Sequence, residues 1–481
     1  MKSLIRLAFV MPTLMFLFAA GARAEGVVFV NKGNTSGTED GASWATAFTT
    51  LRAALDAAQA GGKTELWVAG ARYDEARPNS GKLILTSGIS LFGGFAGTET
   101  SRDQRDPVAH VTLIDGSKSN DGGTQTTQVV KGASNLTLDG FTITGGKGDA
   151  GLYNEAPTQV VVSHCTFVLN QAQRGGGGMW NDGCSPVIQD CTFDTNYALE
   201  GGAIFNYQTP AVQILRCTFT GDNSLTNGGA IANLRSGVLI ADSLFTDNFT
   251  GDFGGAVFSN ASNVTITGSR FFGNHCHKVG GAIHNLGDPL AVPPAPGSAV
   301  VTNCIIADNQ SDDFGAGFFN NAVTFTITNC TIYGNKVGIT GGGVGNLSAT
   351  GTITNSIIWA NDGAQVLYSD STITLNHCDN QDGAAGTNIS VAPNLVDPNT
   401  RDFRLHEGSA CIDAGIDTSA PAFGSVTTDI DKDPRPFGTA FDIGADEFTG
   451  GTGEGEGEGE GEGEGEGEGE GEGEGEGEGE G

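Results

Sequence analysis

The segment CTFVLN at Cys165–Asn170 returns as CTFDTN at Cys191–Asn196 and as CTFTGD at Cys217–Asp222. Five later segments continue the series: Ser243–Asn248, Ser269–Asn274, Cys304–Asn309, Cys330–Asn335 and Ser356–Asn361. Successive copies start 26 residues apart, except for one spacing of 35. Self-similarity at a fixed period of this length predicts a solenoid, in which each repeat forms one coil and stacks on the next.

A second motif lies at a nearly constant distance after the first. GGAIFN at Gly201–Asn206 has counterparts in five later repeats: Gly228–Asn233, Gly254–Asn260, Gly280–Asn285, Gly315–Asn320 and Gly341–Asn346. The longer spacing of 35 follows Asn285, where four prolines crowd the chain. We therefore expect one long surface turn inserted between two coils.

The composition of the repeats favours β-strands over helices. The segments are short, rich in Thr, Val, Ile and Phe, and separated by Gly and Asn. Val323–Thr328 alternates strictly between apolar and polar residues, as a half-buried strand does. Because parallel crossovers are right-handed, the sequence predicts an all-β, right-handed parallel β-helix with about 26 residues and three short strands per coil.

Equivalent positions of stacked coils form columns with distinct physical roles. The third position of the first motif predicts an inward stack of Phe167, Phe193, Phe219, Phe245, Phe271, Ile306, Ile332 and Ile358. Its last position predicts a ladder of Asn170, Asn196, Asn248, Asn274, Asn309, Asn335 and Asn361 at a turn. The Gly pairs provide positive φ angles at another corner. All these columns are interpreted as structural.

The remaining segments define the limits of the solenoid. We expect a signal peptide at 1–24, an N-terminal cap at 25–80, the β-helix at 81–385, a closing segment at 386–449 and a disordered Gly-Glu tail at 450–481. The cap contains the one amphipathic helix, Thr50–Gly61, which ends at a Gly stop signal. It would cover the open strand edge at that end of the solenoid.

Charge and targeting signals exclude some functions. The 481 residues contain 24 Lys and Arg against 56 Asp and Glu, a net charge of −32, to which the tail contributes 14 Glu. A basic nucleic-acid-binding protein is excluded on this balance. Lys2 and Arg6 precede an apolar stretch and the sequence Ala-Arg-Ala at 22–24, which predicts export. No later run is long enough to span a membrane. We expect an exported monomer, either at the cell surface in association with the outer membrane or outside the cell.

Both tetrapeptides of the repeat resemble those of the bacterial polymorphic outer membrane proteins: Phe-x-x-Asn, as in Phe167–Asn170, and Gly-Gly-Ala-Ile/Val, as at Gly201. The resemblance covers residues 139–361 and implies a surface-displayed β-helix with a role in adhesion. The N-terminal residues 40–44 and 93–100 resemble secreted right-handed β-helix repeat proteins. The ending, with Cys411–Gly415, Arg435-Pro436 and Asp442–Glu447, is similar to the choice-of-anchor Q region of such proteins.

The nine cysteines fall into two groups. Cys165, Cys191, Cys217, Cys304 and Cys330 share one column, in which the Cβ vectors of neighbours point the same way. This geometry is poor for a disulfide, so we expect Cys165, Cys191 and Cys217 to be buried and unbridged. Cys184, Cys276, Cys378 and Cys411 lie outside the column, and their disulfide state stays open.

The most unusual polar group surrounds the fifth repeat. Asp252, Lys278 and Asp313 occupy the position two before the Gly pair in successive coils and should stack. They are the candidate catalytic residues, with Lys278 as a base between carboxylates. His275, His277 and His284 are the candidate metal ligands, with Asp312 nearby. The alternative is a solvent-facing ion ladder of little energetic value. No cofactor is predicted, and no motif supports calcium.

Two functions from different classes follow. The first is an exported surface or extracellular β-helix protein with an adhesive, binding or structural role and no catalysis, whose partner is an unidentified surface receptor or glycan. The alternative is a carbohydrate-active enzyme, lyase-like or hydrolase-like, which requires a groove on one sheet with converging polar groups. Fold analogy alone does not decide between them.

Overall fold

The computed structural model describes residues 26–120, 123–288, 297–420 and 426–450. The predicted signal peptide, most of the proline-rich insertion and nearly all of the Gly-Glu tail lie outside these ranges. In the described part of the chain, no helix is both long and apolar enough to cross a membrane.

The predicted parallel β-helix is confirmed. Each regular coil contributes one strand to each of four parallel sheets, named I to IV in chain order, with 13, 12, 8 and 11 strands. Three strands per coil were predicted. The additional sheet III is mostly built of two-residue strands between the Asn ladder and the Gly pair, a segment too short to show an alternating pattern.

Sheet I contains Val27–Val30, Glu65–Ala69, Ser90–Phe95, Leu136–Asp139, Val160–Ser163, Val187–Gln189, Val212–Leu215, Gly237–Ala241, Asn263–Thr267, Ser298–Thr302, Thr324–Thr328, Thr350–Thr354 and Thr372–Asn376. Sheet II contains Arg72–Tyr73, Thr112–Asp115, Phe141–Thr144, Thr166–Val168, Thr192–Asp194, Thr218–Thr220, Leu244–Thr246, Arg270–Phe272, Ile305–Ala307, Thr331–Tyr333, Ile357–Trp359 and Asp379–Asn380.

Sheet III contains Lys147–Gly148, Gln171–Ala172, Tyr197–Glu200, Asn223–Asn227, Phe249–Thr250, His275–Cys276, Gln310–Ser311 and Lys336–Val337. Sheet IV contains Leu83–Ile84, Gln128–Lys131, Ala150–Glu155, Met179–Asp182, Ile204–Tyr207, Ile231–Leu234, Val257–Asn260, Ile283–Leu286, Phe318–Asn321, Val344–Leu347 and Val366–Ser369. Outside these sheets lie the antiparallel strands Leu395–Asp397 and Asp402–Leu405, the α-helix Leu51–Ala60 and the 3-10 helices Trp44–Thr46, Arg102–Gln104 and Pro398–Thr400.

The predicted inward stack forms the centre of the core. The rings of Phe167, Phe193, Phe219, Phe245 and Phe271 are fully buried. Neighbouring rings are nearly parallel, with centroids 4.6 to 4.9 Å apart. This spacing is the strand repeat itself, so each coil extends one continuous aromatic column.

The predicted Asn ladder is also confirmed, and its hydrogen bonds show why Asn recurs at this position. Asn196 donates from Nδ2 to the carbonyl of Phe167 at 2.8 Å, while its Oδ1 accepts from the backbone N–H of Asn170 at 3.1 Å. The amide therefore satisfies donors and acceptors of the neighbouring coils at a buried turn. A second ladder in sheet IV, not predicted as such, links Asn154, Asn181, Asn206 and Asn233.

The Gly pair is required by both backbone angle and space. Gly201 has a φ of +59°, and a Cβ on it would lie 2.1 Å from the carbonyl oxygen of Ile204. A Cβ on Gly202 would lie 2.3 Å from the carbonyl oxygen of Gly229 in the next coil. No side chain fits at either position, so the pair fixes the corner between sheets III and IV.

The predicted capping helix is confirmed at Leu51–Ala60, with Thr50 as N-cap and Gly61 as C-cap. Its buried face packs against the first two strands of sheet I. Those strands, Val27–Val30 and Glu65–Ala69, extend the sheet well before the boundary predicted at residue 81. The early strands escaped recognition because they bury both faces, so they lack both alternation and the repeat motif.

The segment predicted to close the C-terminal end instead folds back along the outer face of sheet II. Phe403, Ile430 and Ala445 pack on Phe272 and Ile305. Farther along, Leu405, Cys411 and Ile443 pack on Ile357. The physical reason is the composition of the outer face of sheet II. Phe272, Ile305 and Ile357 are large and apolar, whereas earlier coils mostly have Thr at the equivalent positions, and the C-terminal segment removes this apolar patch from water.

Candidate functional site

The predicted stack of Asp252, Lys278 and Asp313 is present at the edge of sheet III. The Lys278 N–H donates to the carbonyl of Asp252, and the Asp313 N–H donates to that of Lys278, both at 3.0 Å. Lys278 Nζ lies 2.6 Å from Asp252 Oδ1 and 4.9 Å from the ring centroid of Phe253. Its ammonium is thus held by a carboxylate and an aromatic face on the side of the preceding coil.

His275 lies on the outer face of sheet III, and His277, directly after the strand His275–Cys276, points to the same side. Cys276 between them points inward and is fully buried. Both imidazoles meet Asp312 of the next coil: His275 Nε2 lies 3.1 Å from Oδ1, and His277 Nδ1 lies 2.8 Å from Oδ2. Partial burial alone would raise the pKa of Asp312, but the hydrogen bonds of His277 and His275 outweigh this effect and lower it.

His284 does not join the predicted metal set. It lies on the outer face of sheet IV, only 3% exposed, in the position that neighbouring coils fill with Phe258 and Phe319. Three phenylalanine rings surround it, with centroids 5.2 to 5.4 Å away. Neither ring nitrogen has a hydrogen-bond partner among the described residues, and burial lowers the pKa of His284 to about 3. Asp312 takes its place as the third member of the cluster.

An open cavity of about 270 Å³ lies beside Asp312. Its lining consists of Gln310, Ser311, Asp312, Lys336, Val337 and Gly338. His277 and Asp312 stack in one column of outward-facing positions on adjacent coils. In this column Gly251 lies on the coil before His277, and Gly338 lies on the coil after Asp312. Because neither glycine has a side chain, the surface around His277 and Asp312 stays open along the column.

All nine cysteines are free and buried. This confirms the prediction for Cys165, Cys191 and Cys217, and the other six thiols are unpaired as well. Cys378 was predicted to lie outside the column, but the pairing of Asp379 with Ile357 places it directly after Ser356 in that column. Burial raises the pKa of Cys276 and of Cys378 to about 12. Burial thus disfavours the thiolate, which is the form of cysteine that acts as a nucleophile or metal ligand.

A second polar site, which the sequence did not predict, lies in a crevice between sheet II and the C-terminal segment. Its volume is about 250 Å³. Arg270 pairs with Asp431 at 2.5 Å and Arg404 with Asp402 at 2.6 Å. Asp446 accepts the Leu405 N–H at 2.7 Å, and burial raises its pKa to about 8.

This crevice could not be found from the repeats. It forms only because residues 401–404 and 430–446 fold back onto the strands that contain Arg270 and Ile305, far earlier in the chain. The only signal was the Asp-rich composition of the closing segment, which does not indicate where that segment packs.

Two family models match the chain. The model described as "Right handed beta helix region" matches residues 212–351, and the model described as "Protein of unknown function (DUF1565)" matches residues 32–268. No curated protein matches the chain.

Solved structures that match the chain at low identity include the following three. Pectate lyase Pel9A is 16% identical, with coverage of 89% of this chain and 97% of that chain and a TM-score of 0.45. The mannuronan C-5 epimerase AlgE6 A-module of Azotobacter vinelandii is 17% identical, covers 68% and 94%, and has a TM-score of 0.30. PfbA, a surface adhesin of Streptococcus pneumoniae, is 10% identical, covers 68% and 88%, and has a TM-score of 0.29.

Proteins with such low identities and TM-scores do not indicate an activity for this chain. The coil architecture and the two family models together identify the chain as a right-handed parallel β-helix repeat protein.

Proposed function

We propose that this is an exported bacterial protein of the cell surface or extracellular space, whose β-helix binds a glycan or a surface receptor without chemical turnover. The observation that carries the proposal is the outer face of sheet III. There, positions without a repeated residue hold Phe249, His275, His277, Lys278 and Lys336, all of which are at least partly exposed.

These side chains suit an extended ligand. They occupy successive coils, so aromatic and polar groups follow one another at the strand spacing of about 4.8 Å. Phe249 offers an aromatic surface, and Gln310, Lys336 and Asp312 line the adjacent cavity. A row of stacking and hydrogen-bonding groups on an exposed sheet is a binding surface for a polymer or for a partner protein.

The arrangement of charges supports binding rather than catalysis. Lys278 is engaged with Asp252, and both His residues are engaged with Asp312. An exposed pair of this kind is worth less than about 1 kcal/mol, so Lys278→Ala should change the free energy of unfolding by less than that amount.

The experiment measures binding and turnover together. The tag-free mature protein is screened against acidic and neutral glycans, and soluble products are measured in the same samples. Lys336→Ala should weaken binding to any glycan retained on sheet III. The matched control is Lys131→Ala, which removes a partly exposed lysine paired with Glu155 on sheet IV and should leave binding unchanged. Glycan cleavage that disappears in Lys278→Ala or Asp313→Ala, with the fold intact, would refute the proposal in favour of the enzyme.

One observation favours the alternative of a carbohydrate-active enzyme. Asp446 carries a carboxyl group that is largely protonated at neutral pH, in a crevice with Arg270 and Arg404. A protonated carboxyl beside fixed charges is the chemistry of a general acid. Cleavage abolished by Asp446→Asn, but not by Lys278→Ala, would place an active site in this crevice.

Surface association, a monomeric state and the resemblance to polymorphic outer membrane passengers belong to the same proposal. Their support is the export signal and the paired tetrapeptides of the repeat. Fractionation of the producing cells and the hydrodynamic size of the purified protein test them. Retention in the cytoplasm would contradict the export step, and a stable oligomer would contradict the monomer.

A further inference from the structure

We propose that His275, His277 and Asp312 form a binding site for a first-row divalent transition metal, with Zn²⁺ as the ion that fits this ligand set. The site goes beyond the proposed ligand surface and does not depend on it. His275 begins the strand His275–Cys276, and His277 follows it directly with its N–H still bonded to the carbonyl of Thr250 in the preceding coil, so the two histidines share the outer face. Asp312 is the partner of His277 on the next coil, so all three side chains meet.

The distances fit a single ion. One potential ligand atom from each residue can be chosen such that all three lie within 4.8 Å of one another. A tetrahedral ion with bonds of about 2.0 to 2.2 Å holds its ligand atoms about 3.3 to 3.6 Å apart. The imidazole nitrogens are already 3.1 and 2.8 Å from the two Asp312 oxygens, so small side-chain rotations would admit the ion.

The donor set selects the class of metal. Two imidazoles and one carboxylate suit zinc and its first-row neighbours, whereas calcium and magnesium take oxygen ligands almost exclusively. Cys276 lies between the histidines in sequence but faces the core, so sulfur does not take part. Three protein ligands leave a fourth coordination position for water or a ligand.

The residues around the proposed site leave room for a water or a ligand at the fourth coordination position of the ion. The glycines at 251 and 338 flank His277 and Asp312 in the column, and the 270 Å³ cavity opens beside Asp312. On the opposite side, the Phe249 ring contacts both imidazoles, with centroids 5.3 and 5.0 Å away, and restricts their orientation. A restricted pair of rings loses less conformational freedom when it binds an ion.

Such an ion would connect two adjacent coils, so its effect on folding is measurable without any knowledge of the glycan. Zinc bound to the folded chain should raise the unfolding temperature in a concentration-dependent way. Calcium at the same concentration should not produce the increase in unfolding temperature that depends on His275, His277 and Asp312. This contrast separates a defined site from general attraction of cations to the acidic chain.

The experiment uses the tag-free, chelator-treated full chain. Zn²⁺ affinity is measured by competition with a chromophoric chelator, and thermal unfolding is followed with zinc or calcium. His277→Ala and Asp312→Asn should each weaken zinc binding by about 10-fold or more and remove the zinc-dependent shift. His164→Ala is the matched control, because His164 is an exposed histidine paired with Asp139 in another part of the β-helix. It should bind zinc like the wild type.

Three results would overturn the proposal: no zinc binding above that of the double variant His275→Ala/His277→Ala, equal zinc binding by all variants, or an equal response to calcium. The tail carboxylates are present in every variant and cancel in the comparison. Co²⁺ provides an independent readout, since a tetrahedral site of nitrogen and oxygen ligands gives visible absorption that the two ligand variants should lose. Because zinc is measured without glycan, failure here leaves the proposed binding function standing.

Discussion

At the scale of single residues, the two most informative positions are those where a column is broken. His284 replaces phenylalanine in an aromatic column, and Asp222 replaces asparagine in the Asn ladder. Both side chains are buried, and both contain a polar atom without a hydrogen-bond partner among the described residues. An unsatisfied buried polar group costs about 1 to 3 kcal/mol, so each position should be improvable by the residue that its column otherwise contains.

We predict that His284→Phe stabilises the protein. At pH 8 the expected gain is about 1 to 3 kcal/mol, since two unsatisfied nitrogens are removed and Phe258 and Phe319 show that the column accepts the ring. The folded-state pKa of about 3 lies below the unfolded value, so the wild type loses stability as the pH falls below about 6.5. The advantage of the variant should therefore grow by about 2 kcal/mol between pH 8 and pH 5. Urea unfolding at both pH values measures it, and a destabilised variant would mean that the imidazole has a polar partner.

Asp222→Asn should also stabilise the chain, with the opposite dependence on pH. Burial raises the pKa of Asp222 well above its ordinary value, because the charged carboxylate loses its hydration inside the coil. The wild type is thus penalised as the pH rises above the unfolded pKa of about 3.9, whereas the asparagine variant is not. The gain should be larger at pH 7 than at pH 4. Asn248→Asp is the matched control, which should create the same defect one coil away and lose stability as the pH rises.

At the scale of elements, the C-terminal segment depends on one buried ion pair. Arg435 Nη1 lies 2.8 Å from Glu447 Oε2, and both side chains are fully buried. The guanidinium also donates to the carbonyl of Gly444 at 2.8 Å, so it fixes the fold of the loop that covers sheet II. Removal of one partner leaves the other charge buried and unpaired, which is strongly destabilising.

We predict that Glu447→Ala destabilises this segment by about 3 to 5 kcal/mol while the coils persist. The apolar patch on sheet II, with Phe272, Ile305 and Ile357, should become accessible to a hydrophobic dye. Residues 395–449 should become sensitive to limited proteolysis, while the far-UV circular dichroism stays close to that of the wild type. Glu407→Ala, which changes an exposed glutamate, serves as the control. Equal protease sensitivity of both variants would show that the ion pair does not hold the segment.

The elements also show where prediction from sequence succeeds and fails. A β-helix coil is predictable because its contacts link residues one period apart, so the same requirement recurs and becomes visible as a motif. The aromatic column, the Asn ladder and the stack of Asp252, Lys278 and Asp313 all follow from that register. The crevice around Asp446 does not, because its contacts join an aperiodic segment to a distant strand. The prediction that His284 is a metal ligand was wrong. Strand alternation predicts that its side chain faces outward, but it does not predict that neighbouring aromatic rings bury that side chain.

At the scale of the whole molecule, stability is close to a sum of coils and of interfaces between neighbouring coils. The core is one continuous cluster from Val28 to Cys378, and each regular coil contacts the coils before and after it. The C-terminal segment adds contacts to part of this array: Asn303, Asn329 and Asn355 each bond to it through their side chains. The coils between the capped N-terminal strands and Asp242 lie outside this covered region, so their stability depends mainly on neighbouring coils.

This organisation predicts that one whole coil can be removed. Deletion of Cys191–Arg216 excises one 26-residue period, joins Asp190 to Cys217, and places Phe219 on Phe167 and Asp222 on Asn170. Every column then continues in register, so the shortened chain should fold to a β-helix one coil shorter. Its unfolding should remain cooperative, and its stability should fall only by the interfaces that are lost.

Deletion of Cys191–Ala203 alone, about half a coil, is the control. It would bring Ile204 to the position of Cys191 and put residues of sheet IV where sheet II must continue. Because the inward and outward columns no longer match, this variant should lose cooperative unfolding and aggregate through unpaired strand edges. Circular dichroism, thermal unfolding and small-angle scattering distinguish the two chains. If the half-coil deletion folds as well as the full-coil deletion, then the 26-residue register does not specify the fold.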